Sequence, residues 1–176
     1  MPVVMGAGGS GILLHEAIGH AFEADFNRKN TSIFSDQLNK KVCNEHINVV
    51  DDGTIPFNRG SVNIDDEGVD GQKTYIVREG VLTSYLHDRI SAKHYGIPST
   101  GNGRRESFRQ MPIPRMRATY MEAGNVTEEE IISTVKKGIY AANFTNGQVQ
   151  IGAGDFTFFV KDGYLIENGK LTQPIK

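Results

Sequence analysis

The feature that most constrains this chain is a count of residues. His15 and His20 stand five apart in the stretch GAGGSGILLHEAIGHAFEAD (residues 6–25), with Glu16 next to the first histidine. Ile12, Leu13, Ala17, Ala21 and Ala24 supply an apolar surface that predicts a helix over residues 11–26. On a regular helix each residue turns ~100°, so positions i and i+5 lie roughly 140° apart, too far for two imidazoles to reach one ion. The familiar zinc-protease pattern H-E-x-x-H uses i and i+4, which share a helical face. A π-bulge inserts one residue into a turn and would realign the pair. Gly19 lies in the interval and lets the backbone adjust. The H-E-x-x-x-H pattern therefore makes chemical sense as a metal site only if the helix is distorted near Gly19. On spacing alone, the competing reading is structural, with both histidines and the glutamate hydrogen-bonding neighbouring segments.

The chemistry that would use these residues is specific. Hydrolytic zinc needs neutral imidazole ligands, an open position for water, and a nearby carboxylate to take the water's proton. Apolar neighbours strengthen that reading, because buried imidazoles and a carboxylate need compensation. The preceding glycine-rich loop lacks both the P-loop lysine with its serine or threonine and a full dinucleotide fingerprint. It reads as a strand-to-helix turn, with Ser10 placed to cap the helix.

Other classes are disfavoured by composition. With 19 basic and 21 acidic side chains in 176 residues, the net charge of −2 gives no global attraction to nucleic acid or a membrane surface. No apolar run approaches the ~20 residues of a membrane span, and the N-terminus lacks a signal-peptide pattern. The lone cysteine, Cys43, excludes an internal disulfide framework and suits a reducing compartment, so the cytoplasm is expected. Twenty glycines suggest many turns and a β-rich body.

Along the chain, Pro2 to Met5 reads as a buried strand. Ile47 to Val50 reads as a second strand, ending at Asp51-Asp52-Gly53, and Val62 to Ile64 as a short third one. Thr74 to Arg78 and Val81 to Leu86 flank Glu79-Gly80 as a hairpin. Asp88 caps a helix through Tyr95, stopped by Gly96 and Pro98. Residues 99–114 are irregular and long for a structureless loop. Met116 to Met121 alternates weakly, as a strand would. Thr127 and Glu130 form a capping box for a helix that Lys136, Lys137 and Gly138 are placed to end. From Gly147 onward the chain reads as β, with Asn168-Gly169 as a two-residue primed turn. No repeat, linker or internal boundary appears. The expectation is an α+β fold, mostly antiparallel sheets packed around a central helix carrying the site, with a second capped helix.

Lesser candidates take the bland reading. Asp65, Asp66, Glu67 and Asp70 lack the alternation and terminal glutamate of a calcium loop, so they read as a solvated acidic turn. His46, His87 and His94 are scattered, as surface or core histidines are. Arg104, Arg105, Arg109, Arg115 and Arg117 form the one basic cluster. A loop or substrate cleft, where Arg104 or Arg105 could hold a peptide carboxylate, is favoured over nucleic acid because few aromatics accompany them.

Several blocks together resemble one family. GILLHEAIGHAFEADFNRK, VDDGT (50–54), RGSVNIDDEGVDGQ (59–72), TGNGRRES (100–107), PRM (114–116), NGQV (146–149) and YLIENGK (164–170) are similar to the TldD/PmbA metallopeptidases, also called modulators of DNA gyrase. The likeness spans nearly the whole chain and is closer to the TldD side, which carries the metal motif. The resemblance implies Zn2+ held by His15 and His20, with Glu16 as general base. It implies a peptide substrate, bound in extended form, and a related TldD/PmbA-type subunit as homo- or heterodimer partner. It also implies a third ligand, a cysteine downstream of the matched blocks, which Cys43 does not match. Residues 1–176 are therefore expected to be a single domain, a truncated part of the family's C-terminal metallopeptidase domain. The alternative class is a non-catalytic fragment or interaction subunit of a TldD/TldE-like complex. A gyrase-associated or nucleic-acid role stands third.

Overall fold

The computed structural model describes residues 1–175 and has an α+β architecture. Two four-stranded sheets carry it. The first has the order β4-β3-β2-β7, all antiparallel: β2 (Val49–Asp52), β3 (Lys73–Arg78), β4 (Val81–Leu82) and β7 (Thr119–Met121). The second has the order β1-β8-β9-β10: β1 (Val3–Met5), β8 (Lys137–Gln150), β9 (Asp155–Glu167) and β10 (Lys170–Ile175). Only β1 runs parallel to its neighbour there. A small pair, β5 (Gly103–Arg104) and β6 (Ile113–Pro114), completes the strands.

The helical segment that follows β1 packs against both larger sheets, touching β7 and β8. It starts as α1 (Gly11–Leu13), widens into a π turn over Leu14–Gly19, and tightens into a 3₁₀ turn over His20–Phe22. Glu23 is extended (φ −68°, ψ 126°), and α2 (Ala24–Arg28) follows it. The uninterrupted helix expected over residues 11–26 is thus broken at Glu23. The reason is tertiary: the backbone there bridges Leu86, with Ala24 N–H donating to Leu86 O at 2.9 Å and Leu86 N–H to Phe22 O at 3.0 Å. Ser10 is not a cap either; its torsions are helical and its hydroxyl donates to the Gly6 carbonyl.

The main core forms where Phe22 and Ala24 meet Val49, Ile76, Val77, Leu82, Tyr85, Leu86 and Met116. A smaller one gathers Val4, Ile132 and Ile166. Turn and cap chemistry behaves as the residue types dictate. Glu79 and Gly80 both take positive φ (50° and 76°), as do Asn168 and Gly169 (51° and 76°), the signature of tight primed hairpins. Asp88 accepts from Ser91 N–H at 2.7 Å and starts α3 (Arg89–Tyr95), which Gly96 ends at φ 68°. Thr127 and Glu130 form the reciprocal capping box of α4 (Glu128–Ser133).

Several elements differ from expectation. Helix α4 stops at Ser133, and Lys137 and Gly138 already belong to β8. Gly138 is needed for close approach: a Cβ there would lie 2.9 Å from Pro2 O on the approach to β1. The terminal β region thus begins well before Gly147. Val62 to Ile64 forms no strand, only a bridge between Ile64 and Asp70. Strand β1 is half exposed, with only Val4 buried.

Candidate metal centre

The π turn settles the geometric question raised by the spacing. The backbone N–H of His20 donates to the carbonyl of His15, an i→i−5 hydrogen bond that links the two histidines themselves. Widening the turn by one residue stacks positions i and i+5. The imidazole centroids lie 4.9 Å apart, with planes at 81°. Glu16 sits between them, its carboxylate oxygens each 4.0 Å from a histidine Nε2. Gly19 has ordinary helical torsions (φ −57°, ψ −51°), so it is not there for flexibility. A Cβ at that position would overlap Met116 Sδ and approach Leu14 O to 3.2 Å, so a larger residue there would require the Met116 side chain to move.

His15, Glu16 and His20 each bring one ligand atom into a group within 4.8 Å of one another. It is the one such group of three or more among the described residues. The histidine side chains are 47% and 29% exposed, and Glu16 42%, so the cluster opens to solvent on one side. Two imidazoles and a carboxylate are a donor set that zinc accepts, and the open side leaves room for water or substrate. Burial, followed by the neighbouring His20, lowers the pKa of His15 and favours its neutral, ligating form. His20 moves the other way, because its hydrogen bond to Glu23 outweighs burial.

Residues that sequence reasoning missed complete the surroundings. Glu23, fully buried, places Oε2 3.1 Å from His20 Nδ1 and accepts from Arg115 Nη1 at 3.0 Å. Arg115 also donates to Pro114 O at 2.7 Å. Its backbone is clasped by Asn102, whose Nδ2 donates to Arg115 O and to buried Asp51, at 3.0 and 2.7 Å. Asp51 also accepts from Thr119 Oγ1 at 2.6 Å and Arg117 N–H at 2.9 Å. Burial pushes its carboxyl up despite these donors. The only sequence signal for Glu23 was its place one helical turn after His20.

Across the whole chain, residues 1–176, the sequence matches the family model described as the PmbA/TldA metallopeptidase C-terminal domain. The chain belongs to the PmbA/TldD family. A metalloprotease TldD homolog of Buchnera aphidicola subsp. Acyrthosiphon pisum is 53% identical over 175 residues, covering 99% of this chain and 36% of that protein. A zinc metalloprotease TldD homolog of Saccharolobus solfataricus is 35% identical over 176 residues, with 99% and 38% covered. Among solved structures, TldE from Thermococcus kodakarensis shares the fold at a TM-score of 0.84 and 24% identity, covering 98% of this chain and 39% of that one. The chain thus spans little more than a third of the curated relatives it matches.

The remaining candidates stand apart from the His15–Glu16–His20 group. Arg104 is exposed on β5, and Arg105 donates from Nη1 to Gln110 O at 3.1 Å. Of the five arginines, it is Arg115 that bonds to the carboxylate behind His20. The acidic run is a turn with Asp66 and Asp70 exposed, and three of its carboxylates also clasp backbone amides. Asp65 accepts from Gly103 N–H at 2.9 Å, Asp66 from Arg105 N–H at 2.8 Å and Glu67 from Arg89 N–H at 2.7 Å. Cys43 is an exposed free thiol. His87 is buried and its pKa is lowered to about 4 by burial. No helix among the described residues is long and apolar enough to cross a membrane.

Proposed function

We propose that the chain carries part of the active site of a zinc-dependent peptidase. The observation that supports it most is the π turn, which brings His15, Glu16 and His20 within reach of one ion where a regular helix would separate them. When bound, zinc polarises the peptide carbonyl and the attacking water. His15 and His20 would hold the ion through ring nitrogens, with Nδ1 of His20 engaged by Glu23 and Nε2 left to ligate. Glu16 accepts the proton of the attacking water and delivers it to the leaving amine. The family resemblance supplies a cysteine, downstream of the matched blocks, as third protein ligand. Residues 1–176 are then a portion of the family's C-terminal metallopeptidase domain.

The substrate in this reading is a peptide in extended form, added to a strand edge. Exposed Arg104 and Arg105 are the side chains assigned to its carboxylates. A cytoplasmic enzyme paired with a related TldD/PmbA-type subunit completes the proposal.

Zinc content and peptide hydrolysis test it, measured on this chain and on a longer version carrying the downstream cysteine. The longer version is expected to hold one zinc per chain. Glu16→Gln should keep that zinc and lose about 10²- to 10⁴-fold in cleavage rate. This chain alone, with two imidazoles, is expected to bind zinc weakly and cleave slowly. A longer version without zinc, or with full activity as Glu16→Gln, defeats the reading.

A further inference from the structure

Glu23 is a carboxylate with no solvent exposure, in a segment whose backbone is held by several hydrogen bonds, and its Oε1 has no hydrogen-bond partner among the described residues. Its backbone bridges Leu86. Asn27 Nδ2 donates to its carbonyl at 2.9 Å and to Ala21 O at 2.8 Å, and Ser32 Oγ donates to the same Ala21 carbonyl at 2.7 Å. The carboxylate therefore has a fixed position from which Oε2 faces both His20 Nδ1 and the Arg115 guanidinium. Burying a carboxylate is costly unless its partners are in place. A role at the surface of the cluster would not require such burial.

We propose that Glu23 is a positioning residue for His20. Its carboxylate accepts the Nδ1 proton, which sets the ring plane and the tautomer and leaves the Nε2 lone pair facing Glu16 and His15. Arg115 holds the carboxylate in turn, so the arginine acts on the histidine at one remove. Carboxylate–histidine pairs of this kind orient metal-ligating imidazoles and raise their basicity. The consequence for zinc rests on the function proposed above; the consequence for the ring does not.

The test reads the ring first and the metal second. Ring-nitrogen chemical shifts of His20 are recorded in the metal-free chain at a pH where both imidazoles are neutral. Zinc affinity is measured by competition with a chelating dye. In the unaltered chain His20 should be Nδ1-protonated. Glu23→Leu should move it toward the Nε2-protonated form that a free histidine side chain prefers in water, and weaken zinc binding by about tenfold to a hundredfold. Glu23→Gln, whose amide oxygen still accepts from Nδ1, should keep the tautomer and recover most of the affinity. Because Glu23→Leu strands Arg115, the double variant Glu23→Leu/Arg115→Met, with both charges removed, serves if the single one does not fold. An Nδ1-protonated His20 in folded Glu23→Leu or Glu23→Leu/Arg115→Met, which offer no acceptor oxygen, overturns the proposal, whatever its zinc affinity. A tautomer shift in a chain that binds no zinc in any form supports the positioning role and counts against the zinc reading instead.

Discussion

The sheet β4-β3-β2-β7 and the sheet β1-β8-β9-β10 have four strands each, yet they sit in different surroundings. The first shares a core of nine buried residues with the site segment, whereas the second has a core of three. On the first, β2 is buried at all four positions. On the second, the far half of the β8–β9 hairpin exposes Phe156, Phe159 and Val160. The buried polar residues follow the first sheet too, with Glu23, Asp51, His87 and Asn102 all at most 1% exposed. Buried charge and buried amides need rigid partners at fixed distances. The cluster of His15, Glu16 and His20 is thus backed by the buried polar groups of the first sheet, while the second, which the site helix also touches at β8, extends a long ribbon into solvent.

Truncating each side tests that contrast. Leu86→Ala removes a fully buried side chain at the point where Glu23 is bridged. It should cost about 3 kcal/mol in urea-induced unfolding, the middle of the range for such core deletions. A cost below about 1 kcal/mol would mean that the first sheet does not carry the stability of the chain.

Acid should reveal the next largest difference. His87 is buried against Tyr85 and Tyr95, and its Nδ1 has no hydrogen-bond partner. Burial lowers its pKa from the ordinary 6.5 to about 4. Between those values the unfolded chain binds a proton that the folded chain does not, so stability is complete above 6.5 and falls as pH drops toward 4. The loss across that window should be about 3 kcal/mol, since each tenfold change in proton affinity is worth about 1.4 kcal/mol. Urea midpoints measured between neutral and acid pH should show it, and His87→Phe should flatten the profile. An unchanged pH dependence in that variant would place the acid sensitivity elsewhere.

The smallest effect belongs to the ribbon. Phe159→Ala removes a side chain that is 65% exposed, so its cost should stay within about 0.5 kcal/mol. A loss comparable to that of Leu86→Ala would erase the distinction between the two sheets.

Much of this was legible in the sequence where local chemistry decides. The five-residue interval between His15 and His20 demanded a wider turn, and the backbone supplies one over Leu14–Gly19. Asn168-Gly169, Asp88 and the Thr127–Glu130 box each specify their own geometry within four residues. What escaped is long-range. Glu23 looked like one more helical residue, because its break depends on Leu86, sixty-three positions away. Arg115 was one of five arginines, and nothing local separates it from Arg104. Lys136, Lys137 and Gly138 satisfy the rules for a helix end, but pairing of β8 with β1 and β9 overrides them. Most of β8 is polar or exposed and lacks the alternation that marks a half-buried strand.

The extra residue in the site helix also bears on the phase of the helix. Deleting one position between His15 and His20 would restore an ordinary α-helix with the two rings on one face. Because the π turn has already absorbed that residue, everything downstream would keep nearly its present direction. Phe22 would still face Phe34, on which it stacks with ring centroids 4.5 Å apart, and Glu23 would stay on the side of Arg115. The wider turn is thus a self-contained insertion. It accommodates a five-residue interval between the imidazoles without turning the core residues on its far side.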